Sequence, residues 1–117
     1  MIAEQRSTER IAAQCKDYIG RNIYEKIYLT DIAKSIGVNP NYLSGCFSKA
    51  EGITLQEYIQ REKIEAACKL LRYSDRKVAE VARFVGFQSQ SSFSAVFRKW
   101  KLMTPTEYRL RYRKTSR

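Results

Sequence analysis

The chain has 117 residues, 22 of them basic and 12 acidic, for a formal net charge of +10, and it contains no histidine. That length suits one compact unit or two very small ones, and the charge points to an anionic partner, nucleic acid before an acidic membrane surface. The absence of His removes His-based catalysis and most zinc sites, so no metal and no cofactor is expected. Only five Gly and two Pro work against a loop-rich β protein, while 44% apolar residues can supply a core; the expected class is all-α, with about seven helices. Cys15, Cys46 and Cys68 are scattered, with no C-x-x-C pair, which fits core filler in a reducing cytoplasm. No apolar run approaches the ~18 residues of a membrane span, and the polar start is no signal peptide, so no membrane and a cytoplasmic location are expected.

In chain order, Met1 to Arg6 is polar and expected to fray. Ser7 is the expected cap of a helix whose Ile11, Cys15, Tyr18 and Ile19 form one stripe, ended by Gly20 or Asn22. After a connector from Ile23 to Tyr28, Thr30 is the expected cap of a short helix, Asp31–Ile36, stopped by Gly37. Asn39-Pro40 then starts a helix that runs to about Ala50 and ends at Gly52. Thr54-x-x-Glu57 is a capping box opening a Gly- and Pro-free helix to about Arg72, a rod roughly 28 Å long. Its Leu55, Tyr58 and Ile59 lie on one side near its start. Ile64, Ala67, Cys68 and Leu71 lie roughly opposite, toward its end. Further on come a helix from Lys77 to Val85 stopped by Gly86, one from Ser89 or Gln90 to about Trp100, and a last one opened by a second capping box, Thr104-Pro-Thr-Glu107. The basic stretch from Arg109 to Arg117 is expected to be a frayed tail. The chain divides into 1–53, a linker helix 54–73, and 74–117.

The two ends repeat one another. Ile32-Ala33-x-x-Ile36-Gly37 matches Val81-Ala82-x-x-Val85-Gly86 at an offset of 49. One extra turn residue makes the offset 50, and Leu43, Ser44, Phe47, Lys49, Thr54, Glu57 and Tyr58 match Phe93, Ser94, Phe97, Lys99, Thr104, Glu107 and Tyr108. Two short helices around a turn, twice over, describe two helix-turn-helix units. In each second helix one side is apolar: Leu43, Cys46, Phe47 and Ala50, then Phe93, Val96, Phe97 and Trp100. The opposite side is short-chained, polar and partly basic, without an acid. It carries Asn41, Ser44, Gly45, Ser48 and Lys49 in the first copy. It carries Ser91, Ser94, Ala95, Arg98 and, beside them, Lys99 in the second, with Gln88, Ser89 and Gln90 at the entrance. Such a face suits a major groove: Asn and Gln can pair with adenine, Ser can donate or accept, and an Ala methyl can meet the thymine methyl. An ordinary solvated helix face is the other reading, and two copies in a +10 chain favour double-stranded DNA. Thr54 and Thr104 read as caps, Arg61 as an internal partner of an acid or carbonyl, and Trp100 as a core plug.

These residues resemble the C-terminal DNA-binding domain of the AraC/XylS family of bacterial transcription regulators. The resemblance covers roughly Ile23 to Tyr112. It is carried by Val78-Ala-Glu-Val-Ala-x-x-Val-Gly-Phe87, by Ser91-Ser-Phe-Ser-x-Val-Phe-Arg-Lys99 and by Thr104-Pro-x-Glu-Tyr-Arg109. Leu29-x-x-Ile-Ala33, Tyr42-Leu-Ser44 and the stretch Arg61 to Leu71 also fit. The resemblance implies seven helices, two helix-turn-helix subdomains joined by a linker helix, and two recognition helices entering successive major grooves, about 34 Å apart. With it, the candidate DNA contacts are Asn39, Asn41, Tyr42, Ser44, Gly45, Ser48 and Lys49 in the first unit. In the second they are Gln88, Ser89, Gln90, Ser91, Ser92, Ser94, Ala95, Arg98 and Lys99. Many members carry Arg where this chain has Gly45 and Ala95. Ser92 stands where Tyr is frequent, and Lys101-Leu102 replaces an aromatic-Gly pair, which predicts a differently built turn.

The expected function is sequence-specific promoter or operator binding by a transcription regulator and not an enzyme. A sensor or receiver domain N-terminal to Met1 is the expected controller, and RNA polymerase a possible contact. The alternative is a helical protein-interaction adaptor that keeps the fold with weak or no specific DNA binding.

Overall fold

A computed structural model describes residues 2–113. Among them are seven helices: α1 (Ile2–Arg21), α2 (Leu29–Ile36), α3 (Pro40–Glu51), α4 (Leu55–Tyr73), α5 (Val78–Phe84), α6 (Gln90–Lys101) and α7 (Pro105–Tyr112). Two compact units emerge from their contacts. The first comprises Met1–Ile23 and Ile27–Ile59, the second Tyr24–Lys26 and Gln60–Arg117. The repeat is visible in the element starts: α2 and α5 begin 49 residues apart, α3 and α6 begin 50 apart, and so do α4 and α7.

In the first unit α1 packs on α2 and α3. Ile11, Cys15 and Ile19, four residues apart, bury one stripe of α1 with Ile32, Ala33, Leu43, Cys46, Phe47 and Leu55. α1 starts earlier than expected, because Ser7 does not cap it; a helix once nucleated extends at little cost through Ala, Glu, Gln and Arg. At its other end Asn22, not Gly20, makes the stop. Its backbone N–H and its Nδ2 both donate to the Tyr18 carbonyl, at 3.1 and 2.8 Å. Thr30 is not a cap either. Tyr28 is extended at the N-cap, and its carbonyl accepts from Asp31 and Ile32, which leaves Thr30 inside α2. Thr54 does cap α4: its Oγ1 accepts from the Glu57 N–H at 3.1 Å, and a Glu57 carboxylate oxygen accepts from the Thr54 N–H at 3.2 Å.

In the second unit Phe93, Phe97, Val81, Val85, Ile64 and Leu71 are fully buried. The ring contact between Phe97 and Tyr108, 5.4 Å and edge-on, repeats the one between Phe47 and Tyr58, 5.2 Å and edge-on. Trp100 is half-buried, with its Nε1 enclosed and unpartnered. Arg61 lies 3.9 Å from the neighbouring Glu62 carboxylate. The basic end is more tied down than a frayed tail. Arg109 donates to the carbonyls of Leu71 and Ser74 at 3.1 and 3.2 Å, and Arg113 pairs with Asp75. Residues 114–117 of that expected tail lie outside the described residues.

Two features were not legible in the pattern. Leu102, at the end of α6, adopts φ 61°, and its N–H donates to the Arg98 carbonyl at 2.8 Å. That is how Gly52, φ 76°, closes α3 with a bond to Ser48, so the turn is built alike in both units despite the changed sequence. Lys63 is buried and donates to the Glu25 carbonyl at 2.8 Å; a Cβ on Gly86 would come within 3.2 Å of its Nζ.

Both features yield expected outcomes. Leu102 is 86% exposed, so its side chain contributes little packing against the cost of left-handed backbone. Leu102→Gly should raise stability by about 0.5–1 kcal/mol, read from the urea midpoint. Burial lowers the Lys63 ammonium from 10.5 to about 8, although the Glu25 carboxylate pulls the other way. The unfolded lysine holds its proton more tightly, so stability should rise as pH climbs from about 8 toward 10.5 and be flat below 8. Above 9 the buried Cys15 thiol, pushed up to about 11, works in the opposite sense. A midpoint that increases between pH 8 and 9 and loses that increase in Lys63→Met is the expected result.

Candidate nucleic-acid interface

The second helix of each unit is fixed by its apolar side, and this dictates what the other side can present. With Leu43, Cys46 and Phe47 buried, α3 exposes Asn41, Tyr42, Gly45, Ser48 and Lys49, with Ser44 half-buried. With Phe93 and Phe97 buried, α6 exposes Gln90, Ser91, Ser92, Ala95, Arg98 and Lys99, with Ser94 half-buried. Gln88 and Ser89 are exposed just before it, and Asn39 just before α3. Every candidate in each unit is therefore exposed, apart from the half-buried Ser44 and Ser94. Four-residue spacing aligns Asn41, Gly45 and Lys49 in one row and Ser44 and Ser48 in another. At an offset of 50 the same rows in α6 read Ser91, Ala95, Lys99 and Ser94, Arg98.

Two candidates have work inside the helix ends. Asn39 Oδ1 accepts from the N–H groups of Asn41 and Tyr42 at 2.8 and 3.4 Å. Ser89 Oγ accepts from the Ser92 N–H at 3.0 Å and lies 2.9 Å from the Ser92 hydroxyl. Their acceptor atoms serve the caps.

Charge separates these two helices from the rest. α2, α4, α5 and α7 each have an acid in the first turn: Asp31, Glu57, Glu80 and Glu107. α3 and α6 have none, and carry Lys49, or Arg98, Lys99 and Lys101, in the last turn. An acid beside a helix N-terminus offsets the positive end of the backbone dipole, so these two keep it uncompensated. Among the described residues no carboxylate forms an ion pair with Lys49, Arg98 or Lys99, although, after the Thr104 hydrogen bonds, the Arg98 charge helps to lower the Glu107 carboxyl; Lys101 is held by Glu65.

Two hollows flank α3. One of about 490 Å³ is lined by Ser44, Ser48, Thr54, Tyr28, Leu55 and Ile59 among others. The other, about 330 Å³, lies between α1 and α3 around Gly45. Thr8 lines the second, and the sequence reading missed it because a Thr in a polar stretch shows no sign of burial. Among the described residues no His, Cys, Asp or Glu cluster could hold a metal ion, and no helix is long and apolar enough to cross a membrane.

Two helix-turn-helix units, each presenting an acid-free polar and basic helix face, define a DNA-binding domain. The helix-turn-helix domain family matches the chain over residues 32–111. Over 97 residues the chain is 36% identical to the uncharacterized HTH-type transcriptional regulator YijO of Escherichia coli, covering 83% of this chain and 34% of that protein. It is 35% identical over 92 residues to regulatory protein PocR of Salmonella typhimurium, covering 79% and 30%. The C-terminal domain of AraT, a response regulator from Geobacillus stearothermophilus, superposes with a TM-score of 0.85 at 26% identity, covering 91% of this chain and 88% of that one. The chain belongs to this helix-turn-helix domain family, as an AraC-type DNA-binding domain. It spans about a third of the length of the curated relatives it matches.

The cap geometry makes a specific demand on any mutational test of the interface. Asn39→Ala should lower stability by about 1 kcal/mol, while Asn39→Asp, which keeps the acceptor, should hold the urea midpoint near the parent.

Proposed function

We propose that α3 and α6 are the recognition helices of this domain and enter successive major grooves of one duplex. The observation that carries this is the matched pair of helices without a first-turn acid, in a chain whose other short helices all have one. The uncompensated N-termini and Lys49, Arg98 and Lys99 would hold phosphates, fixing register. Asn41, Ser44 and Ser48, and Gln90, Ser91 and Ser94, would meet base edges, with the Ala95 methyl available to thymine. No long guanidinium stands at Gly45 or Ala95, so adenine, thymine and DNA shape would carry more of the specificity than guanine.

The domain is proposed to be the DNA-reading part of a longer transcription regulator of a reducing cytoplasm, with control from a sensor or receiver domain elsewhere in that protein. The length of the relatives supports this, as does AraT being named a response regulator. Contact with RNA polymerase is the further partner such a regulator would have. Its work is binding, not catalysis.

Lys49→Glu combined with Lys99→Glu should weaken binding to every duplex and lower the slope of log affinity against log salt by about 2. Asn41→Ala or Gln90→Ala should instead change which sequences are retained from a random duplex pool. If neither pair alters DNA retention at low salt, the recognition-face assignment is wrong and the adaptor reading takes its place.

A further inference from the structure

Gly45 is the sixth of the twelve residues of α3, exposed and with helix on both sides. Gly at such a position disfavours the folded helix about four- to five-fold relative to Ala. Nothing among the described residues calls for it. A Cβ built there meets no heavy atom within 4 Å, and its backbone is not left-handed. The other glycines are accounted for locally: Gly37, Gly52 and Gly86 have positive φ, and Gly20 lies in the closing turn of α1. The missing side chain at Gly45 opens instead onto the hollow of about 330 Å³, lined by Thr8, Asn41, Tyr42, Cys46 and Lys49.

We propose that Gly45 is a specificity-determining position at which the bare α3 backbone receives the 5-methyl edge of a thymine. The proposal rests on α3 being a recognition helix. From Gly45 no donor can reach a guanine edge; what the hollow offers is the glycine methylene, the buried Cys46 and the Tyr42 side chain. The thymine methyl is the one apolar group that a base displays in the major groove. Asn41, one turn before, can pair with an adenine, and Lys49, one turn after, can meet a phosphate. A side chain at position 45 would hold the base edge off by about the thickness of a methyl group. The loss of helix stability at Gly45 is then the counterpart of closer approach to DNA.

The test uses the whole chain and a duplex selected by it from a random pool, with each thymine replaced in turn by deoxyuridine. Gly45→Ala should raise the thermal midpoint by roughly 4 °C and lower affinity for the selected duplex about three-fold or more. One thymine should stand out: loss of its methyl costs the parent about three- to five-fold and costs Gly45→Ala much less. Opposite signs for stability and affinity are what a glycine retained for an external contact produces. Equal affinity of parent and Gly45→Ala, or the same deoxyuridine penalties in both, overturns the proposal while leaving α3 a recognition helix. A parent chain that retains no duplex, or one indifferent to Lys49→Glu and Lys99→Glu, overturns the recognition-face reading and this proposal with it.

Discussion

The structure depends on one repeated aromatic contact. Phe47 is fully buried in the middle of α3 and meets the ring of Tyr58; Phe97 is fully buried in α6 and meets Tyr108. Each pair ties the second helix of a unit to the helix that follows it. A unit this small holds only about 3–8 kcal/mol of stability, and truncating a buried Phe costs about 3–5 kcal/mol, so neither unit has much to spare without its pair. The pair also fixes helix rotation. Once Phe47 and Leu43, or Phe97 and Phe93, face inward, the 100° step leaves Asn41, Gly45 and Lys49, or Ser91, Ala95 and Lys99, facing out. The candidate interface is the remainder that the core does not claim.

That geometry explains why much of the fold was legible in the sequence. The two copies agree at the apolar positions and at Thr54/Glu57 and Thr104/Glu107, and both capping boxes form with the expected bonds. Side-chain-to-backbone bonds over three residues are local, so a local pattern suffices to find them. Misreadings arose where backbone or distant groups decide. Thr30 looks like a cap, yet the Tyr28 carbonyl starts α2 two residues sooner. Arg109 looks like a tail residue, yet its partners are carbonyls more than thirty residues away. Leu102 looks incompatible with a Gly turn, yet an exposed Leu tolerates the left-handed conformation at a cost. Lys63 lies among helix formers, and the Glu25 carbonyl that accepts from its ammonium is 38 residues away in sequence. For the candidate interface, outward exposure follows from the helical pattern alone, whereas the use of Asn39 and Ser89 as caps and the hollow at Gly45 require the packed helices.

The chain's acids are arranged to leave this remainder positive. Glu57, Glu80 and Glu107 each accept from a backbone N–H at a helix start. Glu51 and Lys16, Asp17 and Arg21, Glu65 and Lys101, and Asp75 and Arg113 form ion pairs away from the outer rows of α3 and α6. An exposed pair adds little stability, typically less than about 1 kcal/mol. Its larger effect here is on the field: these carboxylates are engaged elsewhere, and among the described residues none forms an ion pair with Lys49, Arg98 or Lys99, although the Arg98 charge acts on the Glu107 carboxylate. A net charge of +10 attracts anions in general; Lys49, Arg98 and Lys99 beside two helix N-termini without a first-turn acid favour one that carries phosphates at regular spacing.

The two units divide that task unequally. α6 ends in Arg98, Lys99 and Lys101, while α3 has Lys49 alone. Position by position, Ser48 stands where the second unit has Arg98, and Gly45 where it has Ala95. The first helix therefore offers less charge and a barer surface beside a hollow, and the second more charge and a methyl in place of the bare backbone. Phosphate attraction acts over about a Debye length and tolerates imprecise fit, whereas apolar contact with a base edge needs surfaces within van der Waals reach. Under the proposed docking the second unit supplies most of the non-specific grip and the first the closer reading. A repeat whose two copies keep the same core but diverge on the outer rows is what such a division requires.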